Sequence, residues 1–196
     1  MEHPNVVIIA GPNGAGKTTV SKELLSSELE IRHYVNADTI ARGLSDFHSE
    51  DMAIKAGKIM LDHLHELAKE RINFAFETTL ASRSFAPWIA GLKKEGYLFH
   101  LFFIWVPSSE VSVERVKARV RSGGHHVPSE TIHRRYQRGL HNFFKLYIPL
   151  TDSWKLINNS EPTKRTAIAE ADGIIEKVQD AELWQKIKQE YCDERN

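Results

Sequence analysis

The sequence predicts an α/β fold of three layers, with helices on both faces of a mainly parallel five-stranded sheet, or six-stranded if residues 173–178 add an edge strand. Three observations carry this. Apolar runs of strand length alternate with helical patterns along the chain. The first run, Val6 to Ala10, is apolar at every position, as a parallel strand covered on both faces requires. Between it and a helical pattern from Thr19 to Leu25 lies Gly11-Pro12-Asn13-Gly14-Ala15-Gly16-Lys17-Thr18-Thr19, a complete G-x-x-x-x-G-K-[ST] Walker A loop. Such a loop curls backbone N–H groups around a β-phosphate, reaches the outer phosphates with Lys17 and offers the Thr18 hydroxyl to Mg²⁺. The following helix points its positive end at the same anion. A glycine-rich turn without ligand is the plainer alternative.

At 196 residues the chain suits a single domain, 1–196, with a full-sized core. Twenty-six basic residues cancel twenty-six acidic ones, so no global field gathers nucleic acid or an anionic membrane. Cys192 is the only cysteine, which excludes a disulfide framework and fits a reducing compartment. No apolar run reaches the roughly 20 residues of a membrane span, and Met1-Glu2-His3-Pro4 lacks signal-peptide character. The expected location is therefore cytoplasmic.

Further along, His33 to Asn36 reads as a second strand, expected to neighbour the first, and Thr39 to Leu44 as a short helix or turn. Asp38 then stands at a strand's carboxyl end, where open α/β sheets bind ligands. Ser49 to Arg71 is one long helix; its His63 and His65 are two residues apart and face different sides, so they make no metal pair. Asn73 to Phe76 is a third strand leading into Glu77-Thr78-Thr79, Phe85 to Glu95 a helix with Gly96 as its C-cap, and Tyr97 to Val106 a fourth buried strand. Val113, Val116 and Val120 mark a helix with Arg115 and Arg119 one turn apart on its other side. It breaks at Ser122-Gly123-Gly124-His125-His126-Val127-Pro128, and a second helix runs from Ser129 to Leu150 with Arg134, Arg135 and Arg138. Two arginine-bearing helices joined by a glycine turn suggest a small helical lid around 119–138. Trp154 to Ile157 is a fifth strand ending at Asn158-Asn159-Ser160, Glu161 to Arg165 a polar excursion, and Ala181 to Tyr191 a terminal helix.

Phosphoryl transfer needs held phosphates, an aligned acceptor hydroxyl, a carboxylate for its proton and positive charge for the equatorial oxygens. Lys17 supplies charge at the donor. Asp38 is the first candidate for the base, with helix capping or outer Mg²⁺ coordination as its other roles. Glu77 and Thr79 would face the acceptor, or Glu77 would orient water on Mg²⁺. Arg121, at the hinge, and Arg135, on the next helix, are the expected lid arginines. His125 and His126 lack zinc-ligand spacing, so substrate contact, assigned to His126, or plain exposure is the reading. Asn158 is placed in the nucleotide's base pocket, although Asn-Asn-Ser is also an ordinary turn.

The run GPNGAGKTT, VNAD, FAFETTL, RVRSGGHHVPSETIHRRYQR and DSWKLINNS resembles, over residues 4–160, the zeta-toxin family of P-loop kinases. That resemblance implies a P-loop kinase-like fold and transfer from ATP or GTP, with Mg²⁺, to a sugar hydroxyl; characterised zeta toxins phosphorylate UDP-N-acetylglucosamine and are held inactive by a small antitoxin. It puts Lys17 and Thr18 at the donor and Mg²⁺, Asp38 at the base, Glu77 and Thr79 at the acceptor, and Arg121 on the phosphates. Three competing readings stay open: a mechanical P-loop ATPase, although no LSGGQ-like signature or Asp-Glu strand end is present; a nucleotide-dependent switch without an acceptor; and a kinase for another metabolite. A polynucleotide kinase would need a local basic channel along 115–138, against a neutral whole.

Overall fold

The computed structural model describes residues 3–27, 31–44, 50–161 and 165–192; Met1 and Glu2, the expected helix start at Ser49 and positions 162–164 of the polar excursion lie outside them. Seven strands form one sheet: β1 Asn5–Ala10, β2 His33–Val35, β3 Phe74–Thr78, β4 Leu98–Trp105, β5 Ser153–Asn158, β6 Thr166–Asp172 and β7 Ile175–Val178. Their order is β2-β3-β1-β4-β5-β6-β7. The first five are parallel, and β6 and β7 are antiparallel additions. The helices are α1 Lys17–Ser27, α2 Ala37–Leu44, α3 Glu50–Lys69, α4 Phe85–Lys94, α5 Ser109–Arg121, α6 Ser129–Asn142 and α7 Ala181–Tyr191.

β1 is the central strand of the parallel five, and Val6 through Ala10 are wholly excluded from solvent, as its unbroken apolarity demands. Aromatic side chains fill one face of the sheet on both sides of β1, since the registers turn Phe74, Phe76, Phe103 and Trp154 the same way. Phe74, Phe76, Phe85, Trp88 and Tyr97 pack together on one side, with Phe74 and Phe76 two residues apart on one strand face. Phe103, Phe143, Phe144, Trp154 and Trp184 make the matching cluster elsewhere in the core. His65 packs on Trp88, and His63 Nδ1 lies 3.7 Å from Glu66 Oε2.

Three expectations are corrected. The sheet has seven strands rather than five or six, because Thr166–Asp172 pairs with β5 and turns through Gly173, at φ 58°, into β7. Its alanines and acids blur the apolar alternation, although Asp172-Gly173 is a hairpin signal. Second, β2 does not neighbour β1; β3 lies between them. Third, the helix from Ser129 ends at Asn142 and continues as a π turn, Phe143–Tyr147, and a 3₁₀ turn, Ile148–Leu150. Pro149 has no N–H to extend an α-helix.

This second half of α6 holds the chain that leaves β3. Gly139 packs so tightly there that a Cβ would meet the Thr79 carbonyl at 2.5 Å. Asn142 donates to the Leu80 carbonyl at 2.7 Å, and Tyr147 to that of Ser82 at 3.1 Å. Leu80, fully buried at φ 54°, sits in the left-handed region that few side chains adopt. Gly139→Ala is therefore expected to destabilise the protein by about 1–3 kcal/mol through overpacking, measured by urea denaturation; a wild-type midpoint would show that α6 is free to shift.

Candidate active site

The phosphate loop takes its shape from three left-handed or extended glycines: Gly11 at φ 142°, Gly14 at 78° and Gly16 at 88°. Gly11 also has no room for a side chain, since a Cβ would come within 2.4 Å of the Ile104 carbonyl at the end of β4. Ala15 N–H bonds the Pro12 carbonyl, and Thr19 and Val20 bond that of Gly16, so the loop passes directly into α1. Lys17 curls over it, donating to the carbonyls of Gly11 at 2.9 Å and Pro12 at 3.1 Å. Burial holds the Lys17 ammonium below its ordinary range; Glu77 and Asp38 pull it up, and Arg119 and Arg135 push it further down. An arriving polyanion supplies the negative charge this ammonium lacks.

Around the loop opens a cleft of 480 Å³ whose wall includes Asn13, Lys17, Thr18, Asp38, Glu77, Thr79, Arg115, Arg119, His125 and Arg135. The ends of β1 and β3, the first turn of α2 and the inner faces of α5 and α6 contribute these groups. Asp38 sits in the first turn of α2, which Asn36 caps: its Oδ1 accepts from the N–H of Asp38 at 2.8 Å and of Thr39 at 3.4 Å. Asp38 is thus relieved of capping, and its exposed carboxylate lies 4.0 Å from Arg119 Nη1. Arg119 also donates to the His125 carbonyl at 2.9 Å, while its buried Nε has no hydrogen-bond partner among the described residues. Such a donor is costly to leave unmade. Arg135, its charge disfavoured chiefly by burial, reaches Asn13 Oδ1 at 3.4 Å.

The helix pair α5 and α6, the segment expected to form a lid, has a small core of its own, Val113, Val116, Val127 and Ile132, separate from the main one. That apolar stripe turns Arg115 and Arg119 toward the cleft. Arg121 is turned away. It lines a different recess with Val113, Val120 and His126, whereas Arg119 and His125 wall the cleft. The spacing of Arg115 and Arg119, one turn apart opposite the valines, was the signal for this.

Asn158 is not among the residues that wall the cleft. Its Oδ1 accepts from the Ser160 N–H in a local turn, whereas buried Asn159 donates from Nδ2 to the Ala15 carbonyl at 2.6 Å and presses against Gly16. Arg115 closes the same corner by donating to the Ser160 carbonyl at 2.7 Å. Sequence reasoning also passed over Tyr34, whose hydroxyl bonds Glu77 Oε1. One apolar position in a three-residue strand carries no such signal.

The loop, the parallel sheet behind it and the arginine-bearing helix pair define a P-loop kinase-like protein, of the nucleotide-dependent phosphotransferase class. The chain belongs to the zeta toxin family, whose pattern matches residues 1–159. An uncharacterized protein of Haemophilus influenzae is 28% identical over 130 residues, 66% of this chain and 91% of that one. The AvrRxo1-ORF1:-ORF2 complex with ATP superposes with a TM-score of 0.78 at 17% identity, covering 99% of this chain, which spans 66% of the other's length. The PezAT toxin-antitoxin system of Streptococcus pneumoniae gives a TM-score of 0.65 at 16% identity, covering 100% of this chain and 81% of that one. Both likenesses are of fold.

Arg119→Ala is expected to lower nucleotide turnover by at least about tenfold, and Arg121→Ala to change it less than twofold; steady-state phosphate release compares them, and a larger effect at Arg121 would return the role to the hinge.

Proposed function

We propose that the chain transfers the γ-phosphoryl group of ATP or GTP to a hydroxyl of a small molecule, a sugar or nucleotide-sugar such as UDP-N-acetylglucosamine. One observation carries this reading: the exposed, uncapped carboxylate of Asp38 shares a cleft with the phosphate loop and stands beside Arg119. A nucleotide-dependent switch needs contacts to the γ-phosphate but no proton acceptor; a carboxylate free to accept a proton suits a hydroxyl acceptor. In this reading Gly11 through Thr19 hold the donor phosphates. The acceptor oxygen bonds to the γ-phosphorus as its proton passes to Asp38, and the bond to the leaving diphosphate oxygen breaks. Lys17, Arg119 and Arg135 balance the charge that spreads over the phosphoryl oxygens. Glu77 and Thr79 edge the acceptor's side of the cleft.

Mg²⁺ fits the residues present. Thr18 Oγ1 donates to Glu77 Oε2 at 3.2 Å, leaving hydroxyl lone pairs in an all-oxygen surrounding of the kind this ion takes. Among the described residues no group of three or more His, Cys, Asp or Glu forms a self-sufficient metal site, which matches an ion held largely by substrate phosphates and water. Bound there, the ion would neutralise charge on the β- and γ-phosphates.

A small antitoxin is the proposed protein partner, supported by family membership and by the fold shared with PezAT. The described helices include none long and apolar enough to cross a membrane; a cytoplasmic location, and organisation as one domain, remain parts of this proposal.

The test is incubation with ATP or GTP and Mg²⁺, with UDP-N-acetylglucosamine and then with a pool of other sugars and nucleosides, read by mass spectrometry. A gain of one phosphoryl group on an acceptor supports the reading; hydrolysis with every acceptor unchanged transfers it to a P-loop ATPase. Asp38→Asn is expected to cut transfer by about 10²–10⁴-fold with nucleotide affinity nearly unchanged. Calorimetry should show Lys17→Ala losing nucleotide binding itself.

A further inference from the structure

We propose that Tyr34 is a positioning residue of the Mg²⁺–nucleotide site, holding the Glu77 carboxylate in the orientation that prepares the Thr18 hydroxyl. The inference rests on the donor-site reading above and adds to it a residue outside the phosphate-loop motif.

Glu77 is held from two sides. Its Oε1 accepts from the Tyr34 hydroxyl, and its Oε2 accepts from Thr18 Oγ1 at 3.2 Å. The Tyr34 oxygen in turn lies 3.0 Å from Ser21 Oγ, which is 3.1 Å from the Thr18 carbonyl. Ser21 is wholly buried. A ring of hydrogen bonds thus joins β2, β3 and the first turns of α1. The sheet explains why Tyr34 can close it: the residue pairs with Ala75, two positions before Glu77 on the adjacent strand, so both side chains emerge on one face.

The chemistry follows from what Thr18 must do. A hydroxyl that coordinates a cation offers a lone pair and needs somewhere to send its proton. Glu77 Oε2 is that place. A carboxylate free to rotate would present either oxygen, or swing into the cleft; a second hydrogen bond to Oε1 removes that freedom. Burial, followed by its hydrogen bond to Glu77 and then that carboxylate's charge, pushes the Tyr34 hydroxyl well above its ordinary range, so it remains a donor. Outer groups of this kind orient the groups that touch a metal. Tyr34 is absent from the residues that wall the cleft, so any effect it has there passes through Glu77.

Tyr34→Phe keeps the ring and removes only the hydroxyl. Ser21 retains the Thr18 carbonyl as a partner. The experiment is calorimetric titration with ADP, in EDTA and in excess Mg²⁺, on the wild type, Tyr34→Phe, Glu77→Gln and the double variant, with thermal melting of each. The expected result is equal ADP affinity for wild type and Tyr34→Phe in EDTA, with the Mg²⁺-dependent gain reduced roughly five- to tenfold in the variant. The double variant should match Glu77→Gln alone, because Tyr34 acts through that carboxylate. A merely structural tyrosine would lower the melting temperature and leave the Mg²⁺ gain at its wild-type size, which overturns the proposal, as would additive losses in the double variant. A wild type that binds ADP equally with and without Mg²⁺ overturns the Thr18 reading and this inference with it. A wild type that fails to bind ADP at all rejects the donor site itself.

Discussion

The site depends on the seating of the phosphate loop against the carboxyl ends of β1 and β4. Gly11 lies so close to the Ile104 carbonyl that no side chain fits, and Asn159, at the end of β5, binds the Ala15 carbonyl and presses on Gly16. Gly14 is enclosed from above by Ser112, Arg115 and Val116 of α5. Three strand ends and a lid helix thus grip a nine-residue loop. A free loop of this composition would lose its ordering to backbone entropy. Here its N–H groups are arranged before any anion arrives, which is the preorganisation that electrostatic catalysis needs.

From that seating the charges find their places. Lys17 lies half-buried over its own loop, Arg119 and Arg135 approach from α5 and α6, and the carboxylates of Asp38 and Glu77 share the same cleft. Positive and negative groups are held apart rather than neutralised in close pairs: the Asp38–Arg119 separation is 4.0 Å, and both side chains remain partly exposed. Exposed pairs of this kind are worth little to stability. Their value lies in leaving both groups available to a ligand.

The helix α6 serves two masters. Its first turns complete the small core of the lid through Ile132, while Tyr136, Leu140 and the π turn beyond belong to the main core. Arg135 therefore projects from the boundary between a locally packed lid and a fixed support. The same support holds the chain after β3 through Gly139, Asn142 and Tyr147, so the Thr79 edge of the cleft and Arg135 share one packed member. The tight approach at Gly139 and the left-handed Leu80 show that this turn is defined by packing rather than by local preference.

The phosphate loop, the order of the first five strands along the chain, the paired helices of the lid and the carboxylates at Asp38 and Glu77 were legible in the sequence, because each rests on local chemistry. A motif of nine contiguous residues, an unbroken apolar strand and a valine stripe at helical spacing need no distant partner to be recognised. What tertiary structure alone decided was adjacency. The insertion of β3 between β2 and β1, the pairing of β6 with β5, the choice of Asn159 over Asn158 and of Arg119 over Arg121, and the reach of Tyr34 to Glu77 all depend on which elements pack side by side. Residues one or two apart in sequence differ there by the face they present. That face is set by burial of a neighbouring strand or helix, a long-range free energy that no local pattern contains.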